Sequence, residues 1–271
     1  MPEFDRSTPV TVALSAHGGT VDIIAEERLS VLAEAQPLDG TETARAAAAN
    51  TEISLDGDTL VVRAPDAGWG WRRSGKLRLT VRVPLDSSIG ARTASADVRV
   101  AGRFATARVE TASGDIRIDD VTGDAVLRSA GGDVTAGRIG GSLRIRSLSG
   151  GLEVGDVTHD VAADTASGDI VIRSVGGSAK AETASGDIEV GVLRQGDARV
   201  NSVSGDVAVG VLAGTGVWLD VSTMSGKTRN DLTMTGEPPA GPTGATLQLR
   251  IRTASGDIAI RRAQAAAHPA A

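Results

Sequence analysis

The amino-acid sequence predicts an all-β protein, a parallel β-solenoid of about nine turns closed by an N-terminal β cap. Three observations carry this: an octet that recurs at 18-residue steps, an alternating apolar pattern inside each repeat, and an aromatic content of only 2%. Thr93, Thr111, Ser129, Ser147, Thr165 and Thr183 open successive octets at steps of 18 residues. Ser202, Thr223 and Thr253 open three looser copies at steps of 19, 21 and 30, so insertions accumulate toward the C-terminal end. Fixed periods of this kind mark stacked units that bury a core only against their neighbours.

The octets read TASADVRV, TASGDIRI, SAGGDVTA, SLSGGLEV, TASGDIVI, TASGDIEV, SVSGDVAV, TMSGKTRN and TASGDIAI. In eight of the nine octets positions six and eight are apolar and flank an outward residue, as in Ile116-Arg117-Ile118, which is the period-2 pattern of a strand with one buried face. A third apolar anchor follows at Val121, Ile139, Val157, Val175, Leu193 and Leu212. The segment before each octet alternates as well, for example Ala107-Arg108-Val109-Glu110-Thr111, and in that register the opening Thr or Ser faces inward. Its hydroxyl is expected to bond to the neighbour above or below. Each turn therefore holds two strands, with one corner at Ser-Gly and a second near Gly123, Gly141 and Gly177. Stacked at strand spacing, nine turns would span about 40 Å.

Gly or Ala holds the fourth position of every octet, and a tight corner that needs positive φ explains the preference. The fifth position is Asp in seven octets: Asp97, Asp115, Asp133, Asp169, Asp187, Asp206 and Asp257. We read these as a structural turn ladder in which the carboxylate accepts a local backbone N–H.

With no Tyr, a core of large side chains is unavailable, so the interior must be thin and aliphatic. Thirty-four Gly with abundant Val, Ile and Thr suit short strands and tight turns. The net charge of −6 comes from 34 acidic and 28 basic residues scattered along the chain, so no nucleic-acid partner is expected. The absence of Cys excludes disulfides, thiolate metal sites and cysteine nucleophiles. Met1–Asp5 lacks a basic stretch leading into an apolar run, and no span of about 18 apolar residues occurs. The expected location is the cytoplasm, with envelope association as the alternative.

Residues 1–90 are assigned to the N-terminal cap, 91–262 to the solenoid repeats and 263–271 to a disordered tail. The cap carries strand patterns at Thr8–Leu14, Thr20–Ala25, Arg28–Ala35, Glu52–Leu55, Thr59–Ala64 and Lys76–Val83. Within it, Ser15–Ile23 looks like a degenerate octet, and Ala44–Ala49 suits one helical turn. Glu237–Pro242 is a loop.

Four features together resemble a family of bacterial β-strand-repeat proteins of unknown function catalogued as putative adhesins. They are the repeated octet, Arg73-Ser74-Gly75, the Val83–Ser87 step, and the terminal Ser255-Gly256-Asp257-Ile258 run ending at Arg262-Ala263. The resemblance spans residues 1–263. It implies a β-solenoid-like fold with adhesion or envelope roles, and it supplies no catalytic residues.

A stack of like carboxylates invites a cation, and twice the nine-residue calcium β-roll period is 18. That motif, however, pairs glycines before a spaced Asp, and Gly151 and Lys227 interrupt the ladder here. Outward Thr rows could bind ice, but the alternation places Thr inside. Asp115, Asp119, Asp120 and Asp124 suggest a glycan-acting β-helix enzyme, whose long loops and aromatic subsites these short corners lack. His17, His159 and His268 form no catalytic motif with their neighbours. One loop stands apart: Trp69, Trp71, Arg72 and Arg73 combine indoles with cations between glycines, which suits a partner-binding loop, or indoles that cover the cap. The expected function is a non-enzymatic, adhesin-like scaffold without cofactor or metal. Its partner would be an unidentified protein, glycan or membrane surface.

Overall fold

The computed structural model describes residues 2–65, 75–232 and 246–263. Its contacts gather into two compact units, residues 1–141 and 142–271, each built of coils that stack by parallel strand pairing.

The first unit runs β1 (Glu3–Asp5), β2 (Thr11–Glu26), β3 (Ser30–Pro37), helix α1 (Glu42–Ala49), β4 (Glu52–Asp56), β5 (Thr59–Arg63) and β6 (Leu77–Pro84). It continues through β7 (Ser88–Phe104), β8 (Thr106–Thr111), β9 (Ile116–Val121), β10 (Ala125–Arg128) and β11 (Val134–Ile139). Strand β7 lies on β2 from Thr11↔Ser88 to Ile24↔Ala101, which sets Ala16–Ile23 directly against the octet Thr93–Val100. The degenerate octet is therefore a coil of the stack. On β7 rest β8 and β9, and on these β10 and β11, each offset by one repeat.

On its other side β2 pairs in parallel with β5 and β6. There the direction reverses: β4 lies antiparallel on β5, β3 antiparallel on β6, and the three-residue β1 antiparallel on β3. Ending a parallel stack on short antiparallel strands limits the open edge that would otherwise template aggregation. Helix α1, eight residues long, is started by Thr41, whose Oγ1 accepts the Ala44 N–H at 3.2 Å.

The Val83–Ser87 step is the turn that links β6 to β7. Ser87 is fully buried; its Oγ donates to the Pro84 carbonyl at 2.7 Å and accepts the Val10 N–H at 3.1 Å. Asp86 adopts φ +61° and receives both Nε and Nη2 of Arg103 at 2.9 Å.

The second unit begins β12 (Leu143–Arg146), β13 (Leu152–Val157), β14 (Val161–Asp164), β15 (Ile170–Val175), β16 (Ala179–Ser185) and β17 (Ile188–Leu193). Then come β18 (Gly196–Ser204), β19 (Val207–Leu212), β20 (Gly216–Ser225), β21 (Thr228–Asn230), β22 (Thr246–Ser255) and β23 (Ile258–Ala263). Coils follow chain order as far as β18 and β19, and then the order changes. Strand β22 pairs with β18 on one side and β20 on the other, while β23 pairs with both β19 and β21. The last coil of the chain thus slides between two earlier ones, stacking Ser202 on Thr253 and Thr253 on Thr223.

The core is aliphatic, with Phe104 its one fully buried aromatic among the described residues. Octet positions six and eight are buried throughout the inner coils, and the opening residues Thr111, Ser129, Ser147, Thr165, Thr183, Ser202 and Thr253 lie inside. Their hydroxyls do not bond to one another as expected. They serve the corner backbone, as when Thr111 Oγ1 accepts the Gly114 N–H at 3.0 Å and Ser202 Oγ donates to the Gly186 carbonyl at 3.2 Å. One anchor is also displaced. A register shift between β17 and β19 sets Val211 against Leu193, so Val211 is buried and Leu212 only half-buried.

The corner glycines answer to more than φ. Gly168 and Gly186 have φ of +137° and +145°, but Gly114 lies outside the left-handed region and is equally constrained. A Cβ on Gly186 would lie 2.3 Å from the Gly168 carbonyl oxygen, and one on Gly114 would lie 2.1 Å from that of Ala96. The preceding coil's backbone occupies the space a side chain would need.

Gly186→Val should therefore cost well above about 1 kcal/mol in denaturant melts. Ile170→Asp, which buries a carboxylate, should prevent folding, whereas on the outer face Arg117→Asp and Val171→Lys, the latter set between Glu153 and Glu189, should stay within about 0.5 kcal/mol of the parent. Equal damage on both faces would contradict the strand register.

Candidate functional site

Stacking turns each octet position into a row along the coils. At the corner, the fifth-position aspartates form a hydrogen-bonded ladder. Oδ1 of Asp97 accepts the N–H of Asp115 at 3.1 Å, and Oδ1 of Asp115 accepts that of Asp133 at 2.9 Å. In the second unit Asp169 accepts from Asp187 at 2.8 Å, Asp187 from Asp206 at 2.7 Å, Asp206 from Asp257 at 2.7 Å, and Asp257 from Lys227 at 2.8 Å. The carboxylate thus reaches the next coil, one repeat away, where a local bond had been expected. Lys227 sits on the outermost described coil, so a carboxylate at that position would have no described coil to cap. The second corner uses the same device, with Asp160 Oδ1 accepting the Ser178 N–H at 2.7 Å.

Beside the Asp row runs a feature the sequence displayed and the repeat reasoning passed over. The second octet position is apolar in all nine copies: Ala94, Ala112, Ala130, Leu148, Ala166, Ala184, Val203, Met224 and Ala254. The structure turns these outward, leaving Leu148 66%, Val203 60% and Met224 88% exposed. Their signal was uniformity at a position that alternation marks as solvent-facing.

The strand preceding each octet contributes charged rows. Glu110 gathers three guanidinium groups: Arg108 at 2.7 Å, Arg128 at 3.3 Å and Arg92 at 3.5 Å. The hydrogen bond from Arg108 is the main reason its carboxyl is held below the ordinary Glu value, aided by the charges of Arg108, Arg128 and Arg92 and opposed by partial burial. In the second unit Lys180 bridges Asp164 at 3.0 Å and Glu182 at 2.7 Å, which raises its own pKa, the Glu182 bond contributing most.

The residues considered for chemistry do not converge. Asp115 is a rung of the ladder, Asp119 faces solvent, and Asp120 faces Arg138 at 3.6 Å. Among the described residues no group of three or more His, Cys, Asp or Glu side chains is placed to hold a metal ion. Trp69, Trp71, Arg72 and Arg73 lie outside the described residues, as do His268, the 237–242 loop and the tail from 264 onward.

The profile of one protein family, described as Toastrack DUF4097, matches residues 11–261, nearly the whole solenoid. The chain belongs to the Toastrack family. Its function-neutral name agrees with the β-strand-repeat resemblance of the octets. A solved structure described as a putative lipid binding protein from Parabacteroides distasonis shares 14% identity over 96% of this chain and 95% of that one, with a TM-score of 0.52. A putative adhesin from Bacteroides fragilis shares 12% over 96% and 95%, with a TM-score of 0.45. At such identities the likeness concerns the fold. No curated protein matches the chain.

In this Toastrack chain Asp187→Asn keeps an acceptor for the Asp206 N–H and should change stability by no more than about 0.5 kcal/mol, while Asp187→Ala removes it and should cost about 1–2 kcal/mol. Urea melts that find the two equally harmful would remove the ladder's role. Glu110 gives a pH signature. Because its folded pKa is depressed, its stabilisation is present above the unfolded Glu pKa and fades as pH falls through the folded one. The stability gap between the parent and Glu110→Gln, at most about 1 kcal/mol for so exposed a cluster, should close on acidification through that window.

Proposed function

We propose that this Toastrack chain is a non-enzymatic, adhesin-like binding scaffold that presents a repetitive surface to another macromolecule. The observation that supports this most is the corner, where exposed rows of apolar, Ser and Asp side chains repeat in register from coil to coil. Ser149, Ser167 and Ser185 pair as successive parallel bridges, with Ala166 and Ala184 exposed in the adjoining row and Asp169 and Asp187 in the next. A partner with its own periodic contacts gains affinity by engaging several coils at once, since each added contact is intramolecular after the first. Such a surface needs no preformed pocket. Its rigidity comes from the ladders behind it.

Pull-down from extracts and envelope fractions of the native organism tests the reading. A partner retained by the parent protein should be lost with Ala166→Arg plus Ala184→Arg, while the thermal melts of the two proteins coincide, because both positions face solvent. Equal retention by parent and variant would remove the corner as the binding face.

A further inference from the structure

The outermost coil of the second unit is built differently from those inside it. Among the described residues β20 pairs only with β22, which leaves the far edge of a ten-residue strand open. Val217, Leu219 and Val221 stand in register with the buried Leu247, Leu249 and Ile251, yet they are half-exposed. On the outward face of the same strand, Trp218 is 51% and Met224 88% exposed, and Arg250 steadies the indole from 5.4 Å. The strand carries no Pro and no Lys, and its one charge is Asp220, so its own sequence holds few of the usual protections of an edge.

We propose that β20 is the contact strand of a homodimer, in which a second copy adds its own β20 antiparallel across a two-fold axis at Val221. The sequence of the strand is complementary to itself in this register. Trp218 falls opposite Met224 of the second copy, an aromatic–thioether contact, and Asp220 falls opposite Ser222, a hydroxyl donor. Leu219 falls opposite Thr223, and Val221 meets its own mate over the exposed core. Neighbouring registers are worse: centring on Asp220 opposes two like charges, and centring on Ser222 sets Asp220 against Met224. The pairing supplies both what the edge lacks, backbone partners, and what the half-exposed core residues lack, an apolar cover. An isologous contact of this kind closes after two copies, so it satisfies the edge without polymerising.

The chain has no Cys, so single-cysteine variants report the register directly. Under mild oxidation Val221→Cys should give a covalent dimer, since residues on the axis approach to about 4.5–5.5 Å between Cα atoms. Met224→Cys, although more exposed, should not, because its mate would lie about 20 Å away along the strands. Sedimentation equilibrium on reduced protein gives the second test. Ser222→Arg should tighten the dimer a few-fold by meeting Asp220 of the other copy, although it weakens the fold by facing Arg252 within its own chain. Ser222→Asp should do the reverse on both counts. Trp218→Asp plus Met224→Asp should lower the dimer constant more than tenfold. A monomer up to millimolar concentration, cross-linking at 224 as ready as at 221, or a shift of the same sign from Ser222→Arg and Ser222→Asp would overturn the proposal.

Discussion

Close contact between backbones at the corner is the constraint from which the rest of the structure follows. Coils stack at strand spacing only if nothing projects between them where the chain turns, and at Gly114, Gly168 and Gly186 a β-carbon would meet the adjacent carbonyl oxygen at 2.1–2.3 Å. The aspartate that follows completes the contact by accepting the N–H of the next coil's aspartate. Carboxylates repeated at about 5 Å repel by roughly 1 kcal/mol when exposed to water. A hydrogen bond to a charged acceptor is worth about 1.5–3 kcal/mol, so the bond outweighs the repulsion without a cation. Thr or Ser, three residues before the glycine, meets the remaining need by turning its hydroxyl to the corner backbone from inside.

A repeating stack has a difficulty a globular core does not, which is how to stop. The first unit stops by reversing strand direction, since β3 and β4 lie antiparallel on the last parallel strands and leave only short edges. The second unit uses chain order: the chain lays down β20 and β21 as the outermost coil, then returns to insert β22 and β23 beneath it. Removing the final coil would therefore open a gap inside the stack instead of trimming its end. The bond from the Asp257 N–H to Asp206, across 51 residues, marks where that gap is closed.

Much of the fold was legible because it is written in periodicity. Inward Thr, the buried pairs such as Ile116 and Ile118, and the degenerate octet under Thr93 all follow from alternation and an 18-residue offset. The order of the last coils was not legible, since an octet specifies that it has neighbours without specifying which octets they are. The cap was readable strand by strand, but its direction reversals depend on contacts that no local pattern encodes. Leu212 illustrates a smaller limit: a register shift moved the anchor to Val211, and both residues are aliphatic. The candidate site divides in the same way. The Asp row was visible, but its reach to the next coil requires the stack, and the apolar second position went unweighed because alanine at a turn draws no attention.

Under the proposed scaffold reading function is spread along rows, and this has a consequence for how sequence change acts on it. A pocket enzyme concentrates its chemistry in a few side chains, so one substitution abolishes it. Here each outward position repeats with variation, as where the apolar row passes from Ala166 and Ala184 to Val203 and Met224, while the glycine beneath stays fixed. The inner positions and the Asp ladder answer to the stacking contact and tolerate little; the second octet position answers only to solvent and to whatever is bound. The outward rows can therefore drift coil by coil without touching the fold, which accounts for a solved structure sharing this fold at 14% identity. Under the proposed scaffold reading, the specificity of this chain is then a property of the outward rows and not of the octet that defines the repeat.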